Sequence, residues 1–199
     1  MRLVVLASGR GSNLQTIIDN IHCGKLKAEV TAVISDKEDA YALKRARNAS
    51  IPDIYINPSS YSTREDYNNA LADKIEEYQP DYILLAGYMR ILAPALVERF
   101  PLRIINIHPS LLPAFPGLHA QRQAWEYGVK VSGCTVHFVD SGLDTGPIIA
   151  QRAVSAFDND TEETLASRIL EQEHLLYTEV ICLLSEGRVC VEGRKVRIK

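Results

Sequence analysis

The chain has 199 residues, 46% of them apolar and 24% charged, with a formal net charge of −3. That length suits one domain with a full core. The charge excludes general nucleic-acid binding through a basic face, and no run of about 18 apolar residues is present to cross a bilayer.

Arg2 to Ala7, "RLVVLA", reads as a first buried strand. The run stops at Ala7 and Arg10 follows, so it is not a signal peptide. "SGRGSNL" comes next. Ser12 with Gln15 gives a capping box, and Leu14, Ile17, Ile18 and Ile21 recur at helical spacing. Strand, glycine turn and helix N-terminus form an anion site, because free N–H groups and the positive dipole end face the same point. The dinucleotide fingerprint fails, since Leu14 holds its third glycine position, and the GK[ST] of a Walker A loop is missing. A single phosphate fits better. Taken alone, Gly9 and Gly11 serve a tight turn equally well.

Val30 to Ser35 is a second strand, Ala40 to Ala49 a short helix, and Ile54 to Ile56 a third strand. A helix follows from about Thr63 to Tyr78, with Tyr67, Leu71, Ile75 and Tyr78 as its stripe and Ser62 with Glu65 as a capping box. Arg64 falls in its first turn, where a cation opposes the dipole. From pattern alone it reads as a solvated arginine. Tyr82 to Ala86 is the fourth strand, followed by "GYMRIL" at its tip. Pro94 to Phe100 is a short helix with proline at its start.

Leu102 to Ile107 is a fifth buried strand. At its end Asn106 and His108 stand two residues apart, which puts both on one face. Ligands of open α/β sheets bind at that end of a strand. Pro109, Pro113 and Pro116 stiffen the loop beyond it, and the tight path suggests a cis Leu112-Pro113 bond. Ala120 to Tyr127 is a helix ended by Gly128. His119 before it takes a structural or supporting role.

Val131 to Val139 is a strand in which His137 is packed or on the outer face. "DSGLDTGPI" leads into a strand from Ile148 to Val154. Periodicity cannot separate Asp140 from Asp144 in that loop. Asp160 with Glu163 caps a long helix to Ser185, with Gly187 as its stop. Leu165, Ile169, Leu176, Val180 and Leu184 form its stripe. Glu173 falls within the stripe, where a buried carboxylate needs a donor; a structural ion pair satisfies that equally. Val189 to Lys199 is a charged, alternating strand pair with nothing to say about chemistry. Cys23, Cys134, Cys182 and Cys190 form no CxxC pair or metal spacing and read as reduced thiols.

The run "NIHPSLLP" followed by "FPG" resembles the formyltransferases that use 10-formyltetrahydrofolate. "SGRGSN" is similar to the loop with which the phosphoribosylglycinamide (GAR) formyltransferases hold their substrate's phosphate. The resemblance extends from about Arg2 to Gly187. It implies an α/β fold in a single domain: a mostly parallel sheet with helices on both faces and a Rossmann-type N-terminal half. Residues 1 to about 100 would be the phosphate-binding half, and about 101 to 187 the catalytic and folate-binding half.

The implied reaction is formyl transfer to the amine of GAR in purine biosynthesis, with 10-formyltetrahydrofolate as cosubstrate and no metal. Residue by residue, the resemblance gives Asn106, His108 and Asp144 as catalytic. Gly11, Ser12, Asn13 and Glu173 fall to GAR, although Leu170 stands where relatives often carry a polar residue. Arg64, Met89, Arg90, Ile91, Leu92, Asn106 and Asp140 fall to the folate, with Arg64 at its tail carboxylate. The setting implied is cytoplasmic, with small-molecule substrates, no nucleic acid, no membrane, and a monomer or homodimer. A formyltetrahydrofolate hydrolase and a methionyl-tRNA formyltransferase share the Asn, His and Asp pattern but carry an added domain, for which this length leaves no room. A non-catalytic nucleotide-binding module explains the glycine loop but not the three polar residues together.

Overall fold

Apolar strands alternating with amphipathic helices build most of the chain. The computed structural model describes residues 1–199 and divides them into two units, Met1–Asn106 and Ile107–Lys199. The first unit holds β1 (Arg2–Leu6), α1 (Ser12–His22), β2 (Glu29–Ser35), α2 (Tyr41–Asn48), β3 (Asp53–Tyr55), α3 (Arg64–Glu77), β4 (Tyr82–Leu85) and α4 (Pro94–Arg99). β5 (Ile104–His108) continues from it into the second.

β1 pairs in parallel with β2 and β4, β2 with β3, and β4 with β5. Leu3, Val4, Val5, Ile34, Leu84 and Ile105 are fully buried. Strands of a parallel sheet are covered on both faces, so these runs are apolar throughout and do not alternate. The strands of the first unit follow the order β3-β2-β1-β4-β5. Within the first unit the order reverses between β1 and β4, the place where open α/β sheets take ligands. The loops leaving these two strands are tied together. Ser8 N donates to Gly87 O (3.1 Å), and Met89 N donates to Ser8 Oγ (2.8 Å). Ser8 Oγ in turn donates to Asp36 Oδ1 (2.5 Å).

In the second unit α5 (Ala120–Tyr127) precedes β6 (Val131–Phe138) and β7 (Ile148–Ser155), an antiparallel pair with an irregularity at Val136/His137. The long helix α6 (Glu162–Ser185) packs on both strands. Its stripe of Leu165, Ile169, Leu176, Val180 and Leu184 is buried, along with Tyr177 and Ile181. A hairpin of β8 (Val189–Glu192) and β9 (Lys195–Ile198) ends the chain. No helix is long and apolar enough to cross a membrane.

The predicted capping boxes each shift, for local reasons. Gly11 at φ +66°, not Ser12, caps α1, and no side chain bonds there. Gln15 Nε2 instead donates to Asp19 Oδ1 (2.8 Å). Thr63 caps α3, accepting from Asp66 N (3.0 Å), in place of Ser62 with Glu65. Thr161 with Thr164 makes the box of α6, in place of Asp160 with Glu163. Asp160 is drawn away by Arg168, whose guanidinium meets both carboxylate oxygens at 2.8 Å and holds that carboxyl well below its usual range. A threonine cap stabilises its helix by about 1 kcal/mol. β5 begins at Ile104 and not Leu102, because Leu102 turns at φ +55° and is left exposed.

Candidate active site

His108 ends β5, and the loop after it is fastened along its length. Ser110 Oγ donates to Ala114 O (2.6 Å), Thr135 Oγ1 to Ser110 O (2.7 Å), and Leu112 N to Thr135 Oγ1 (3.1 Å). The Leu112-Pro113 bond is cis. Phe115, at φ +52°, sets its carbonyl oxygen 2.8 Å from His108 Nε2. Asp144 Oδ2 lies 3.4 Å from His108 Nδ1 and accepts from Gly117 N (2.7 Å). Both ring nitrogens of His108 therefore face oxygens. A ring carrying both protons donates to both; a neutral ring donates to one.

Asp144 adopts φ +54°, a left-handed conformation that aspartate tolerates better than most residues. The loop that holds it leaves little space. A Cβ on Gly142 would come within 2.0 Å of Thr145 Oγ1, and one on Gly146 within 1.8 Å of Phe138 O. Asp140 Oδ1 accepts from Gly142 N (3.0 Å) and Thr145 Oγ1 (2.6 Å), so this carboxylate shapes the turn that presents Asp144. Arg194 in the terminal hairpin donates to Thr145 O (2.7 Å). The tail, expected to be silent, thus braces the loop.

His137 was expected to be packed or on the outer face, and it is packed, with its side chain 2% exposed and Nε2 3.7 Å from Asp144 Oδ1. Its Nδ1 lies 2.9 Å from Phe138 O. Burial lowers its pKa, against the raising effects of the Phe138 carbonyl and the Asp144 charge. Sequence reasoning missed this second imidazole. The one available signal was the polar pair Thr135 and His137, which share a strand face in an apolar run. His119 stands at the N-cap of α5 at φ +58°, exposed, and does not cap that helix with its side chain.

On α6, Glu173 is buried, as its place in the stripe required. Burial pushes the nearby Cys134 thiol up to about 12, and the Glu173 charge adds to the rise.

In the first unit, Gly11, Ser12 and Asn13 form the N-terminal turn of α1. Arg64 is exposed, yet its guanidinium donates to Ile91 O (2.9 Å) and Leu92 O (3.2 Å). Asn68 Oδ1 accepts from Ala93 N (2.8 Å), and Tyr88 and Tyr67 share a 2.5 Å hydroxyl bond. The segment 88–93 is thereby pinned to α3. Met89 and Ile91 remain more than half exposed, Leu92 is buried, and Arg90 stacks 5.2 Å from the Tyr67 ring centre. Exposed apolar side chains on a fixed backbone can hold a flat ligand.

Residues 1–181 match the family model described as formyl transferase. The chain is 48% identical over 189 residues to the phosphoribosylglycinamide formyltransferase of Escherichia coli (strain K12), covering 95% of this chain and 89% of that protein. It is similar to the crystal structure of glycinamide ribonucleotide transformylase 1 from Symbiobacterium toebii. That match has a TM-score of 0.97 and 52% identity, over 100% of this chain and 93% of the other. It also matches a formyltetrahydrofolate deformylase structure from Pseudomonas syringae pv. tomato, with a TM-score of 0.91 and 29% identity, over 99% of this chain and 65% of that one.

Proposed function

The chain belongs to the formyl transferase family, and on that premise we propose that it transfers the formyl group of 10-formyltetrahydrofolate to the glycinamide amine of GAR. The products are formyl-GAR and tetrahydrofolate, a step of de novo purine biosynthesis. The observation that carries the proposal is the His108–Asp144 pair at 3.4 Å, with the carboxylate held by the Gly117 N–H.

The amine attacks the formyl carbon, giving a tetrahedral oxyanion. The bond to the folate N10 then breaks, and the proton lost by the amine ends on N10. Such a site needs donors at the oxyanion and a group that titrates near neutral pH. Asn106, two residues before His108 on β5, supplies a neutral amide donor. His108 donates from Nε2, where the substrate's oxygen competes with the Phe115 carbonyl. Asp144 stabilises the cationic ring and orders a water that carries the proton. Direct transfer needs no covalent enzyme intermediate, and no metal enters these steps.

Gly11, Ser12 and Asn13 take the GAR phosphate through backbone N–H groups and the dipole of α1, and Glu173 takes another polar group of GAR. Met89, Arg90, Ile91 and Leu92 line the pterin site. Arg64 reaches the folate tail carboxylate, Asn106 serves the folate as well as the reaction, and Asp140 serves it by shaping the Asp144 loop. The setting is cytoplasmic, with small-molecule substrates and a monomer or homodimer.

The deformylase match favours a second reading, hydrolysis of formyltetrahydrofolate. GAR dependence separates the two. Absorbance of the released folate, followed with and without GAR, is expected to rise only when GAR is present. Equal turnover without GAR would mean a hydrolase, and no turnover in either case would remove the catalytic reading.

A further inference from the structure

The turn between β1 and α1 is braced by α2. Arg45 donates from Nε to Arg10 O (2.8 Å) and from Nη1 to Gln15 Oε1 (2.8 Å), and its guanidinium lies 4.7 Å from the Tyr41 ring centre. Ala42 N donates to Gly9 O (3.0 Å). A Cβ on Gly11 would come within 2.9 Å of Ala42 Cα and Cβ and 3.4 Å of Arg45 Cδ. Helix α2 therefore packs directly on the turn, and Arg45 reaches both its strand side at Arg10 and its helix side at Gln15.

The direction of the Arg10 carbonyl matters for binding an anion. In a trans peptide the C=O and the following N–H point opposite ways. With Arg10 O held on the guanidinium, Gly11 N–H points away from Arg45. Were that peptide free to rotate, its oxygen could face the anion and repel it. Two acceptors at separate points suit the planar fork of arginine, not the single ammonium of lysine.

We infer that Arg45 is a positioning residue for the phosphate turn, aiming the Gly11 N–H at the substrate's phosphate and so setting the preference for a phosphorylated substrate. The inference rests on the reading of Gly11, Ser12 and Asn13 as the GAR phosphate site. It is tested by comparing kcat/KM for GAR with that for the same compound lacking its phosphate.

Arg45→Ala is expected to cut the wild-type preference for GAR on the order of 10-fold, mainly through KM, as loss of one charge-assisted contact would. Arg45→Lys should recover less than half of that loss. Gln15→Ala, which removes one of the two acceptors, should lose preference in the same direction by a smaller factor, and it carries the test if Arg45→Ala does not fold. Wild-type enzyme indifferent to the phosphate would remove the phosphate site and the role of Arg45 together. If the wild type prefers GAR and Arg45→Ala keeps that whole preference, the site stands and Arg45 is dismissed from it. Full recovery by Arg45→Lys, or equal losses for both substrates, would likewise overturn the two-point brace.

Discussion

His137 Nε2 lies 3.7 Å from Asp144 Oδ1, the carboxylate oxygen opposite the one that faces His108. The carboxylate thus stands between two imidazoles with different surroundings. Desolvation disfavours the charged form of the His137 ring, although Asp144 and the Phe138 carbonyl both favour it. A neutral ring leaves the charge of Asp144 to act on His108.

The depressed His137 pKa has a consequence for stability. The unfolded chain takes up a proton at about pH 6.5, where the folded chain still resists it. The stabilisation is therefore complete above the unfolded value and is lost as pH falls toward the folded one. His174, lowered by burial alone, acts in the same direction. The unfolding temperature should fall as pH drops from about 7 to about 5. His137→Gln should flatten part of that slope, as read by thermal scans at several pH values. A variant with the full wild-type slope would mean that His137 does not contribute.

Asp144→Asn is a clean probe of the site. Its φ of +54° suits asparagine, so the backbone can stay in place. The amide can still accept from Gly117 N, but it carries no charge to stabilise the His108 cation. We expect kcat to fall about 10²- to 10⁴-fold, the usual worth of acid–base assistance. KM for GAR should change far less. Steady-state kinetics decide the matter, and unchanged turnover would take Asp144 out of the mechanism.

The first unit was legible because buried parallel strands are apolar throughout and the helices between them carry clear stripes. Strand β1, the glycine turn and α1 follow from spacing alone. The caps were less legible, since Ser12, Ser62 and Asp160 each stand beside a residue that takes the role instead. Sequence alone gives Asn106 and His108 a shared strand face, but it cannot select Asp144 over Asp140, which lie in the same turn. That choice came from family resemblance, and the physical difference is tertiary: Asp140 bonds within its own loop, whereas Asp144 reaches Gly117 and faces two histidines. Arg194 was illegible for the same reason, because its partner Thr145 lies 49 residues away.

Two glycines offer a paired test of how tightly the Asp144 loop is built. At Gly146 an added Cβ would sit 1.8 Å from Phe138 O, a backbone atom at the end of β6 that cannot yield without moving the strand. At Gly9 nothing lies within 4 Å. The same substitution should therefore have opposite outcomes. Gly146→Ala should destabilise by about 1–3 kcal/mol or more through overpacking. Gly9→Ala should be neutral, or stabilise by up to about 1 kcal/mol through a less flexible unfolded chain. Urea unfolding midpoints measure both. The displaced loop in Gly146→Ala also carries Asp144, so kcat should fall in whatever fraction remains folded. Full specific activity in that fraction would show that the Asp144 carboxylate keeps its place without the close approach of Gly146 to β6.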